Sequence, residues 1–431
     1  MGRFLLLGAV ATTTASAIAV GGDGAGRTGP ALLLAAFLAF AALMITEVRR
    51  PRLRRRHVWF ATGFVVLVAI VVPPQSSHDL WSYAAYGRMV STYHESPYTH
   101  SPQDHPRDPI SRLVSKGWEN NASVYGPVFT AVSAVGTAAA GDSPLRIRLF
   151  FQGLAGACLL GALAILHRRG APAGALAIVG LNPLATASIV NNGHNDLLVG
   201  VAVLVGVLLA RERRGTATGV ALAFAVLVKA AAFVPLAAIA FWLWRRDRPA
   251  AVRAAAASGA MVAAGYAVAG GTAALAPLHQ ASGYVSASSF WHMVQSHDAG
   301  AGPSGIVVWG SVAIVVAAIA VGWQRRADPV AVTIAAVLGY LLAAPYALPW
   351  YVGWLLPVVA LTWRSRLAWL ATAYPAIALL VYNNRPVMAP AVRDFLLHVR
   401  SVLPVIEVAA LLALVLLAWR RRHATDVLVP R

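Results

Sequence analysis

Apolar runs of roughly 15 to 20 residues recur along the whole chain between short polar breaks, each long enough to cross or nearly cross a bilayer as a helix. Within them Ala, Leu and Val follow one another without the alternation of barrel strands. Only helices and closed barrels satisfy their backbone in lipid, so the pattern predicts an all-α, polytopic transmembrane bundle. The runs fall near 4–20, 30–47, 58–72, 148–166, 172–190, 195–210, 216–228, 230–244, 252–270, 305–323, 329–346, 350–363, 367–382 and 401–419, about 12 to 14 spans. The first, Phe4 to Val20, lacks a strongly basic start and is followed at once by a second, so it reads as a membrane helix and not a removed leader. A single domain over 1–427 is expected, and Leu428-Val429-Pro430-Arg431 looks like the remnant of a cleaved affinity tag.

Basic residues orient this bundle. They cluster in short breaks at Arg49 to Arg56, His167 to Arg169, Arg211 to Arg214, Arg245 to Arg248, Arg325-Arg326, Arg364 with Arg366, and Arg420 to Arg422. Such clusters mark cytoplasmic loops, which puts both termini in the cytoplasm of a multi-pass plasma-membrane protein. Keeping the clusters on one side requires Gly215 to Trp244 to be two short helices turning near Lys229. It also requires Val124 to Ala140 to lie in or against the outer leaflet without crossing. The outer side then carries a long first loop at about 73–147 with juxtamembrane helices, a second loop at about 271–304, and short connections at 191–195, 346–350 and 383–394.

Composition agrees. Charged residues make up 12% of 431 positions, against about 25% in a soluble domain. The net charge of +19 sits in those short clusters, a membrane-topology signal that leaves no basic surface for nucleic acid. The single cysteine, Cys158, excludes an intramolecular disulfide and a cysteine-based metal site.

Candidate chemistry gathers on the outer side. Asp79, in Ser76-Ser77-His78-Asp79-Leu80-Trp81-Ser82-Tyr83, follows the third span. A carboxylate at the lip of an apolar helix is costly unless water, a cation or a substrate accompanies it. Such a group can take a proton from a sugar hydroxyl; it can equally cap the helix that follows. Arg88 on that helix is placed to meet a phosphate. Asn191-Asn192-Gly193-His194-Asn195-Asp196 is a polar hexamer between two spans, suited to sugar hydroxyls, although a plain turn also accounts for it. Lys229 lies among apolar residues, where insertion costs roughly 2.5 to 3.5 kcal/mol and a partner is expected; a lipid phosphate is the natural one, and snorkelling the alternative. Pro345 to Trp354 breaks one helix and starts another with three large aromatics, a ledge suited to a sugar face or a prenyl chain and equally to interfacial anchoring, and Arg385 is a further phosphate candidate. The residues expected to line a sugar or acceptor site are His78, Tyr83, Tyr125, Asn192, His194, Asn195, Asp196, Trp350, Tyr351 and His292. No spacing specifies a metal site or a cofactor; a divalent metal is compatible but not indicated.

These motifs together resemble the GT-C superfamily of membrane glycosyltransferases. A long first loop opening on Asp79, then Tyr125-Gly126-Pro127, then a helix entered by Leu145-Arg146-Ile147-Arg148, carries that resemblance. Asn192 to Asp196, the Val228-Lys229 turn and Pro349-Trp350-Tyr351 with Trp354 and Pro357 are similar to its actinobacterial polyprenol-phosphate-mannose-dependent α-1,6-mannosyltransferases. The resemblance implies an inverting transfer of mannose, on the extracytoplasmic face, from a polyprenyl-phosphate donor to a glycolipid or lipoglycan acceptor. Asp79 would be the general base, with Arg88, Lys229 and Arg385 at the donor phosphate. The competing class is a transporter or flippase for a lipid-linked sugar, which predicts inverted repeats and polar, broken helices at the membrane midplane. No repeat is visible in the sequence.

Overall fold

The computed structural model describes residues 2–21, 28–286, 289–297, 310, 328–382 and 390–420. The described residues are helical, without a strand, and the chain is an all-α polytopic membrane protein. Its first helices are α1 (Gly2–Val20), α2 (Thr28–Arg49) and α3 (Arg55–Val71). The first long loop carries α4 (Asp79–Ser91) and α5 (Pro127–Ala140). The chain continues through α6 (Pro144–Arg168), α7 (Ala173–Gly180), α8 (Asp196–Arg211), α9 (Gly215–Val228), α10 (Phe233–Arg246) and α11 (Arg248–Val268). Later helices span Phe290–His297, Pro329–Ala343, Arg366–Tyr382 and Pro390–Arg420.

Among the described residues six helices are long and apolar enough to cross a membrane: Gly2–Val20, Thr28–Arg49, Pro144–Arg168, Ala173–Val190, Arg248–Val268 and Arg393–Leu414. The expected turn near Lys229 is present, since α9 ends at Val228 and α10 begins at Phe233. Three expected spans differ in form. That at 172–190 breaks at Pro183, which lacks the N–H a continuous helix needs, and resumes as a π-helix over Leu184–Val190. That at 350–363 is a run of short pieces, Pro349–Trp354, Leu356–Val359 and Ala360–Thr362, because Pro349 and Pro357 punctuate it. The last begins at Pro390, well before 401, with proline suited to a first turn. The span expected at 305–323 lies outside the described residues, save Gly310.

Two glycines allow the close approaches that build the site. Gly126 sits against the Leu227 backbone at the end of α9, and its N–H donates to Val228 O at 3.1 Å. Gly200 of α8 faces the Gly353 carbonyl, so a β-carbon there would push the aromatic ledge away.

Candidate functional site

The site begins where α3 ends and leaves carbonyls without helical partners. Gln152 of α6 donates to Ala69 O (3.0 Å), Val72 O (2.8 Å) and Asn191 O (2.6 Å). Asn191 donates to Ala69 O and Val72 O, each at 3.1 Å. The Asn192 Oδ1 accepts from the N–H groups of Gln75 (3.2 Å), Ser76 (3.0 Å) and Ser77 (3.1 Å). Its amide nitrogen donates to Ser76 Oγ and Ser188 O, both at 2.8 Å. The π-helical end of the α7 segment thus clamps the chain that delivers Asp79.

Asp79 opens α4, and its N–H donates to Ser77 Oγ at 3.2 Å. Its side chain is 26% exposed, and its Oδ2 lies 3.4 Å from Nδ1 of His194. The Tyr83 hydroxyl lies 3.3 Å from the same nitrogen. The His194 ring is buried and stacks on Trp350, centroids 4.4 Å apart and 15° from parallel. Burial raises the Asp79 carboxyl to about 6, with the Ser77 hydrogen bond and Lys229 opposing that rise. Burial, reinforced by Lys229, holds His194 well below the ordinary histidine value and so neutral near pH 7.

Behind this pair, Lys229 Nζ meets Asp196 Oδ1 at 2.9 Å. Trp354 Nε1 donates to the same oxygen at 2.6 Å. The ammonium also sits 3.8 Å from the Tyr351 ring centroid and 5.3 Å from that of Trp354. A buried carboxylate with a cation, an indole N–H and two aromatic faces is a stable arrangement for a charge taken out of water. Four buried polar atoms nearby have no partner among the described residues: His194 Nε2, both amide atoms of Asn195, and Asp196 Oδ2. Each unmet group costs about 1–3 kcal/mol, so this wall keeps hydrogen-bonding capacity in reserve.

Asp79, Tyr83, Tyr125, His194, Asn195, Asp196, Lys229, Trp350 and Tyr351 therefore belong to one neighbourhood, with Tyr125 edge-on to Tyr83 at 4.8 Å. His78 borders it as an exposed residue beside Asp79. Arg88 does not join it. Nine residues along α4, about 13 Å from Asp79 at 1.5 Å per residue, its guanidinium is committed to Asp108 and Asp142, at 2.7 Å each. Asn192 spends both ends of its amide on the chain itself. Lys229 has Asp196 as its partner where a lipid phosphate was expected. Asp196, in turn, is fully buried and holds Lys229 and Trp354. His292 is exposed in the second long loop, and Arg385 lies outside the described residues.

Sequence reasoning missed Gln152 and Asn191 as clamps; a glutamine inside the apolar run of α6 is the signal that pointed to one. It also missed the junction of the two long loops, where Tyr284 donates to Asn121 Oδ1 at 3.1 Å and packs edge-on to Trp118. Tyr86 donates to the Asn121 carbonyl at 2.9 Å, tying that junction to α4. Among the described residues no three His, Cys, Asp or Glu side chains gather as a metal-ligand set.

A family model described as alpha-(1->6)-mannopyranosyltransferase, N-terminal domain, matches residues 7–246, more than half of the chain. The chain is 32% identical over 188 residues to alpha-(1->6)-mannopyranosyltransferase A of Corynebacterium glutamicum, a match covering 41% of this chain and 37% of that relative. It is 28% identical over 352 residues to alpha-(1->6)-mannopyranosyltransferase A of Mycobacterium tuberculosis, covering 73% of this chain and 67% of the relative. The matches thus span little more than a third of the first relative's length and two thirds of the second's. No solved structure matches.

Proposed function

Because the chain belongs to the alpha-(1->6)-mannopyranosyltransferase family, we propose that it is an extracytoplasmic, inverting glycosyltransferase. It moves mannose from a polyprenyl-phosphate donor to a glycolipid or lipoglycan acceptor. The observation that carries this reading is the meeting of Asp79, His194 and the Lys229–Asp196 pair in one cluster bordered by aromatic rings. α8 has Asp196 at one end and Arg211 at the other, roughly 22 Å apart along the axis. The cluster therefore lies at the end of α8 opposite the Arg211 break, in keeping with an outer-face site and cytoplasmic termini.

In the proposed reaction Asp79 removes the proton from an acceptor hydroxyl. That oxygen attacks the anomeric carbon of a β-linked mannosyl phosphate, the carbon–oxygen bond to phosphate breaks, and polyprenyl phosphate leaves with the electron pair. Inversion yields an α-mannoside. A carboxyl titrating near 6 is ionised at neutral pH yet far more basic than a solvated aspartate, which suits a general base. Charge grows on the leaving phosphate, so a fixed cation beside it lowers the barrier more than it tightens ground-state binding. Lys229 and Arg385 are assigned that role, Lys229 through ammonium protons beyond the one given to Asp196. The unpartnered amide of Asn195, with Trp350 and Tyr351, is assigned to the sugar.

The test is transfer by the purified protein in lipid nanodiscs, supplied with polyprenyl-phosphate mannose and a mannoside acceptor. An α-linked product with matching release of polyprenyl phosphate is expected, with a nucleotide sugar inert as donor. Movement of the donor lipid across proteoliposomes without a new glycosidic bond would replace this reading with a flippase.

A further inference from the structure

The His194 imidazole is an odd choice for a packing residue. Its side chain is wholly buried, and its Nε2 finds no partner among the described residues, a loss that phenylalanine or leucine in the same space would not incur. The polar work left to the ring lies at Nδ1, which faces Asp79 Oδ2 at 3.4 Å and the Tyr83 hydroxyl at 3.3 Å.

Its placement is tightly specified. The turn that follows the π-helix ends in Gly193, whose φ of 66° few other residues adopt, and the His194 N–H donates to Ile189 O at 3.0 Å. Trp350 then covers the ring from the opposite element.

We propose that His194 is the positioning residue of the Asp79 carboxylate, holding Oδ2 through Nδ1 so that the base is oriented and kept ionised. This rests on the reading of Asp79 as the base. A neutral imidazole carries one ring proton; placed on Nδ1 it donates to the carboxylate and favours its charged form. Tyr83 competes for the same nitrogen.

Other groups also face Asp79: His78, Tyr83 and Tyr86 on its own segment, Lys229 and Asp196 from the α8 and α9 ends, and Tyr125, Tyr346 and Tyr382. Among the described residues His194 is the basic side chain whose nitrogen lies within 4.0 Å of the carboxylate, at 3.4 Å.

The experiment is an infrared titration of the Asp79 carboxyl band in the full-length protein, with Asp79→Asn providing the subtraction. It needs no substrate, so a failure of mannosyl transfer bears on the functional reading alone. His194→Asn keeps an amide near the Nδ1 position, whereas His194→Gln places it near Nε2. The wild-type midpoint is expected near 6. The glutamine variant should raise it by about one unit, and the asparagine variant should restore most of that shift. Tyr83→Phe removes the competitor and should lower the midpoint, which keeps the proposal testable if the glutamine variant does not fold. In the transfer assay, the acid limb of kcat should move with the midpoint while the donor KM stays unchanged. Glutamine and asparagine variants that titrate alike, or a Tyr83→Phe midpoint that stays or rises, would overturn the assignment.

Discussion

Asp196 and Lys229 close a buried ion pair at 2.9 Å across 33 residues of chain, joining the start of α8 to the turn after α9. Both charges are held away from bulk water, and the Asp196 side chain has no exposed surface. Removing one partner strands the other. Lys229→Met should therefore lower stability by about 3–5 kcal/mol, read as a fall in detergent Tm. Lys229→Met with Asp196→Asn should regain much of that loss, because no charge is left unpaired and the amide still accepts from Trp354. A double variant no more stable than the single would show that the pair is not the source of the effect.

The ionised form of Asp79 costs stability. Its carboxyl titrates near 6 in the folded protein and near 3.8 as a free side chain. The folded state therefore binds the proton more tightly, and raising the pH from about 4 through 6 ionises the group at a cost to folding. Asp79→Asn should raise Tm at pH 8, by an amount equivalent to roughly 1–3 kcal/mol, and the gain should shrink as the pH falls through 6. Thermal melts of both proteins at pH 8, 6 and 5 check this.

Arg88 supports the first long loop. Besides its two carboxylates, the Asp108 it pairs with accepts from Tyr93 at 2.8 Å and from the N–H of Ile110 at 2.8 Å. Arg88→Ala should cost about 3–5 kcal/mol by leaving Asp108 buried without a cation. Cleavage by limited proteolysis should appear between 94 and 123, while the donor KM of the folded fraction holds. A rise in donor KM with an intact loop would restore Arg88 as a phosphate contact.

Asn192 is a clamp. Asn192→Leu strips the acceptor shared by three successive N–H groups and should speed amide exchange at Gln75 to Ser77 by an order of magnitude or more, at about 1–3 kcal/mol for each group left dry. Unchanged exchange there would contradict the assignment.

The helical bundle, the α9–α10 turn and the polar cluster were legible because each follows from where charge can sit relative to lipid. A lysine flanked by Val228 and Ala230 has to turn back if Arg211 and Arg245 share a side, and it does. Partners were not legible. Arg88 finds Asp108 through a loop of irregular structure whose path no periodicity encodes. Asn192 and Asn195 stand in one hexamer, yet the N–H groups of Gln75, Ser76 and Ser77 consume the first and leave the second open. Pro349 and Pro357 break the span expected at 350–363, and the packing of Trp354 on Asp196 depends on how closely Gly200 admits Gly353.

The most direct measurement is the single-turnover rate of mannose transfer by Asp79→Asn at saturating donor and acceptor, with donor binding and melting recorded on the same sample. Loss of the base should slow transfer by about 10²–10⁴-fold while donor affinity and fold remain. Transfer within a few-fold of the wild-type rate would contradict the account and remove Asp79 from the chemistry.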